Sequence, residues 1–96
     1  MVTDKEIIEK VEKYEKLTAR ALKEIKIKKG LSEKDKKIAE DFLSMANNYF
    51  NDAKFFSKQK NLLTSLAAFS YAHAWLDAGV RARLFDATDD QLFTLP

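Results

Sequence analysis

Only two glycines and one proline stand in this chain, and the proline is its last residue. Glycine and proline are the residues that most often end helices and open turns. A chain with so few interruptions favours long helices, and the question becomes how many there are and how they pack. Ninety-six residues make one domain. A domain this small buries only somewhat over ~60% of its unfolded surface, so its helices must share one efficient core. The composition, 46% hydrophobic and 33% charged, suits a globular chain. These features predict an all-α fold over residues 1–96: an up-and-down three-helix bundle with a short C-terminal tail packing back on it.

The helices follow from periodicity and capping. Thr3 and Glu6 form a capping-box pattern, with Val2 and Ile7 placed as a hydrophobic staple. Ile7, Val11, Tyr14, Thr18, Ala21, Leu22 and Ile25 then recur at helical spacing, while Glu6–Lys10, Glu9–Lys13 and Glu12–Lys16 line the outer face. This predicts a first helix over about 4–28, ended by Gly30 in the left-handed conformation. Ser32 and Asp35 start a second helix over 33–58, whose broad stripe includes Ala39, Phe42, Ala46, Tyr49, Phe50 and Ala53. The short polar run from Lys58 to Asn61 predicts an antiparallel return. The third helix spans about 62–84. The tail, 86–96, carries Leu92, Phe93 and Leu95 and is too apolar to stay solvated, and Thr88 with Gln91 are expected to cap a last short turn.

The third helix differs from the other two. Between Leu62 and Val80 its only formal charge is Asp77, which predicts a helix covered on more than one side. On a wheel of about 100° per residue, His73 lies within a stripe of Leu62, Leu66, Phe69, Leu76, Val80 and Leu84. Asp77 and Arg81 follow at successive turns, so His73, Asp77 and Arg81 form a candidate polar core network. Tyr71, Trp75, Ala68, Ala78 and Ala82 lie roughly opposite. That aromatic and small-residue face needs its own cover, either the tail and bundle or a second protein, and it is the candidate interaction surface.

The stretch from Ala67 to Phe85 resembles a known family, the short archaeal proteins grouped as domain of unknown function 357. Tyr71, Ala72, His73, Trp75, Leu76, Asp77, Ala78, Gly79, Arg81, Leu84 and Phe85 match its late-helix pattern, and Ala74 departs from a glycine there. The second helix, AEDFLSMANNYFNDAKFF, is also similar. The resemblance implies a small three-helix bundle of the kind seen in albumin-binding modules, and an archaeal source. It implies no activity and no catalytic residues.

Several function classes are disfavoured. The chain has no cysteine, which excludes disulfides, thiolate metal sites and cysteine catalysis. One histidine, with no Glu-x-x-His pair, leaves neither a metal site nor a cofactor to expect. No apolar run approaches the roughly 18 residues of a membrane span, and the charged N-terminus does not read as a signal peptide, so a cytoplasmic protein with no membrane partner is expected. His73, Asp77 and Arg81 allow an acid–base pair in principle, but no motif places a nucleophile beside them. The favoured reading is a non-enzymatic interaction module using the Tyr71/Trp75 face, with a protein partner or a second copy as its occupant. The alternative is nucleic-acid or nucleotide binding through the lysine-rich first turn, 23–37. There seven lysines stand against three acids, and Lys26, Lys28, Lys29, Lys36 and Lys37 are the candidate phosphate contacts.

Overall fold

The computed structural model describes residues 4–95. Three helices, α1 (Asp4–Glu24), α2 (Glu33–Lys58) and α3 (Leu62–Arg81), form the expected up-and-down bundle, 46 Å long and about 20 Å across. Two short strands, β1 (Lys26–Ile27) and β2 (Phe85–Asp86), pair antiparallel, Lys26 with Asp86 and Ile27 with Phe85. The capping residues Val2 and Thr3 lie outside the described residues.

The first helix ends earlier than its periodicity predicts, at Glu24 and not near residue 28. Ile25-Lys26-Ile27-Lys28 also alternates with period two, the pattern of a half-buried strand. Pairing with β2 decides between the two patterns, and the Lys28 N–H extends the ladder to the Leu84 carbonyl at 2.9 Å. Gly30 therefore caps no helix. It sits in the turn after β1 at φ +83°, where a side chain would be strained. Ser32 caps α2 as expected, its hydroxyl accepting from the Asp35 N–H at 3.1 Å.

The third helix also stops short of its predicted end, at Arg81 and not at residue 84. Arg83 takes φ +63°, its N–H bonds the Val80 carbonyl, and the Leu84 N–H bonds the Gly79 carbonyl. This is a Schellman ending. Lys60 at φ +63° closes α2 in the same way, with the Asn61 N–H on the Phe56 carbonyl. The reversal at Arg83 turns Leu84 and Phe85 inward, where both are buried. Phe85 then lies where a side chain at residue 79 would go. A methyl added at Gly79 would come within 2.2 Å of its ring.

α3 is the central element, packed along α2 on one side and α1 on another. The α2–α3 contact rests on small residues seven apart. Ala39, Ala46 and Ala53 of α2 are fully buried, as are Ser65 and Ala72 of α3, while Gly79, seven further on, is covered by Phe85. Such residues let helix backbones approach closely. The Ser65 hydroxyl donates to the Ala53 carbonyl at 2.7 Å, which bonds one helix directly to the backbone of its neighbour. Aromatic pairs flank this seam at the same register: Phe50 with Phe69, Tyr49 with Tyr71, and Phe42 with Trp75, at centroid distances of 5.5, 5.0 and 5.0 Å.

The tail packs back on the bundle. Leu92 and Phe93 are buried with Ala21, Leu76 and Val80. Its last turn is capped by Asp89, not by Thr88 and Gln91: the Asp89 carboxylate accepts from the Gln91 N–H at 2.9 Å, and its carbonyl accepts from Leu92 and Phe93. An aspartate places its carboxylate as an Asx turn requires, so it outcompetes the neighbouring threonine.

Candidate functional site

The polar row of α3 is brought together as its spacing predicts, but its partner is the tail. His73 lies in the groove between α1 and α3, its side chain 13% exposed. Its Nε2 is 2.5 Å from the Leu92 carbonyl. A carbonyl only accepts, so Nε2 carries the proton in this contact. Nδ1 is then free to accept from the Thr18 hydroxyl, 3.4 Å away on α1. The Phe93 ring stacks on the imidazole at 6.2 Å. One turn on, an Asp77 carboxylate oxygen accepts from the Thr94 N–H at 2.9 Å, and the other lies 3.9 Å from His73 Nε2. One further turn on, Arg81 Nη1 donates to the Leu95 carbonyl at 2.8 Å.

Three side chains at i, i+4 and i+8 therefore hold main-chain groups of residues 92, 94 and 95, where the tail leaves its last turn. Arg20 of α1 adds an ion pair to Asp89 at 3.3 Å. That pair is exposed and contributes only ~0–1 kcal/mol. Burial of Leu92 and Phe93, roughly 1.5–3 kcal/mol each, is the larger attraction. The polar row fixes which atoms of the tail lie where.

The aromatic face divides. Ala68 is buried and Trp75 half-buried, edge-on against Phe42, so α2 is the cover for these two. Ala68 is accordingly part of the core and not of an open surface. Tyr71 remains 59% exposed, its ring stacked on Tyr49, and Ala78 and Ala82 are open to solvent. A single wheel assigned these five residues to one face. It could not tell that α2 would take the half nearer its alanine seam.

Of what remains open on this stretch of α3, only Tyr71 and Ala78 were singled out in the sequence. Between Leu62 and Val80 the exposed residues are Leu63, Thr64, Ala67, Ser70, Tyr71, Ala74 and Ala78. None is charged, because the one charge of the stretch, Asp77, is turned to the tail. The signal was present in the sequence: a charge-free helix whose core stripe takes up only part of its circumference. Phe55 of α2 is also exposed, with its ring against Phe56.

The lysines of the first turn are also separated. Lys28, Lys29 and Lys36 line a shallow hollow of about 420 Å³ around Gly30, with Glu33 among them. Lys26 faces a different hollow, about 520 Å³, beside Lys23, Glu24, Asp86 and Asp89. Lys37 is exposed on α2. Arg83 joins Lys28 at the rim of a third hollow, a neighbour 55 positions distant that no local reading could supply.

Among the described residues no three His, Asp or Glu side chains come together as metal ligands, and no buried side-chain polar atom lacks a partner. No helix among them is long and apolar enough to cross a membrane. A family model described as "Protein of unknown function (DUF357)" matches residues 13–85, most of the chain, and the protein belongs to that family. No curated protein and no solved structure matches it.

Proposed function

From that membership, which assigns no activity, we propose that the chain is a non-enzymatic protein-interaction module whose contact surface is the uncharged outer stripe of α3, centred on Tyr71. The observation that carries this reading is the charge-free exposed run from Leu63 to Ala78 on a helix that is otherwise the centre of the bundle. The outward face of α1 is rich in lysine and glutamate, as solvated helices are, and α2 carries charged residues toward both of its ends. On α3, alanine, serine and threonine surround one large aromatic anchor held in place by its stack on Tyr49. Small residues around a fixed tyrosine suit the close approach of a helix from a partner protein or from a second copy. Trp75 contributes from behind, its indole locked against Phe42. The engagement of both His73 nitrogens by Thr18 and Leu92 supports a structural use of the one imidazole, and with it a non-enzymatic reading.

The test is Ala74→Arg, which places a cation in the stripe on a solvent-exposed helical position. Sedimentation velocity reads self-association, and crosslinking in cells of the source organism reads a partner. Loss of the assembly or crosslink, with helix content unchanged, is expected. An assembly that survives both Ala74→Arg and Tyr71→Ala would overturn the reading.

A second reading, phosphate or nucleic-acid binding at the β1–α2 turn, is supported by one observation: Arg83 stands with Lys28 beside the hollow that Lys28, Lys29 and Lys36 line. Binding of a labelled oligonucleotide, read by anisotropy, would then fall steeply with salt and weaken in Lys28→Ala and Arg83→Ala. A salt-independent or absent signal would remove it.

A further inference from the structure

The α1–α3 groove holds its occupant in an unusual way for a bundle. Elsewhere the elements meet chiefly through apolar side chains, ring pairs and the alanine seam. Here an imidazole, a carboxylate and a guanidinium are directed at main-chain atoms of residues 92, 94 and 95. Main-chain atoms are common to every peptide, so these three contacts would hold any segment that follows the same path through the groove. Selectivity comes from two other features. The groove buries a Leu-Phe pair, and Arg20 meets an acid three positions before that pair.

The family match adds a second observation. Thr18, Arg20, His73, Asp77 and Arg81 all fall within residues 13–85, and the segment they hold lies beyond.

We infer that the α1–α3 groove is a binding site for a peptide segment that makes one turn and then an open run, and that residues 89–95 are its tethered occupant. The segment it fits makes a single turn at an acid and carries Leu-Phe three positions after that acid. Its Leu carbonyl meets His73, the N–H two residues on meets Asp77, and the carbonyl of the residue after that meets Arg81. A tethered occupant is present at high effective concentration, so an external segment binds only when the tail is loosened or outcompeted. None of these side chains belongs to the Tyr71 stripe, so this site and that surface fail separately.

The experiment uses the full chain and a fluorescein-labelled peptide with the sequence of residues 86–96. In one variant the tail alone is weakened, Leu92→Ser with Phe93→Ser, leaving the groove unaltered. Anisotropy should show the peptide binding this variant about ten-fold or more tighter than the unaltered chain, whose own tail competes. Adding Asp77→Ala should weaken peptide binding to this variant about five-fold. Asp77→Asn, which keeps an oxygen that accepts the N–H, should restore most of it. Two results would overturn the inference: no saturable binding to a weakened-tail variant whose far-UV circular dichroism remains helical, or loss of the helices in that variant. The second would make the tail a core element and not an occupant.

Discussion

The two covered sides of α3 are built on different principles. Toward α2 it presents Ser65 and Ala72, and the fit is one of shape: small residues seven apart, fully buried, with rings closing the margins. Toward the tail it presents His73, Asp77 and Arg81, and the fit is one of hydrogen bonding to backbone. A shape-based contact cannot accept a change of volume. A contact made by partly exposed polar groups can be weakened in steps, because water replaces each lost bond. One helix thus carries a fixed partner and an adjustable one.

The largest effect should come from overfilling the first side. Ala72→Leu forces extra volume between two backbones in close contact and should cost about 3 kcal/mol, at the upper end for overpacking. In a chain of this length that lowers the melting temperature by roughly 12–24 °C, which calorimetry would show. A shift of only a few degrees would mean the seam is looser than its burial indicates. Ser65→Ala probes the same side more gently. It removes the bond to the Ala53 carbonyl without adding volume and should cost about 1 kcal/mol, read by urea unfolding.

Asp77→Ala tests the second side. It should also cost no more than about 1 kcal/mol, because the carboxylate is partly exposed, and it should act locally. Amide exchange at Leu92–Thr94 should rise while α2 and α3 stay protected. If exchange rose equally along α2, the two sides would not be independent and the contrast would fail. The smallest effect should be favourable. Arg83→Gly relieves a left-handed residue at the point where α3 gives way to β2, and should stabilise the fold by ~0.5–1 kcal/mol. Lys60→Gly, at the other Schellman ending, is its control.

Much of this fold is legible in sequence, for local reasons. The start of α2 is written in Ser32, its end in the Lys58–Asn61 run, and the central place of α3 in its missing charges. What escaped is non-local or carried by backbone. Ile25 satisfies a helical stripe and a strand alternation equally well, and only the distant Phe85–Asp86 decides between them. Lys60 and Arg83 take a conformation that usually announces itself with glycine. The row of His73, Asp77 and Arg81 was visible as spacing. The groups it holds are carbonyls and an N–H, which every residue has and no sequence marks.

The small ladder joining β1 to β2 bears on the order in which the molecule assembles. The α2–α3 hairpin needs only a short turn to form, so its contacts are local and early. The ladder joins residues 26–27 to residues 85–86, and so must close a loop spanning most of the chain before any of its few hydrogen bonds forms. It is expected to form last and to open first, and the tail that follows it should come and go with it on the native side of the folding barrier.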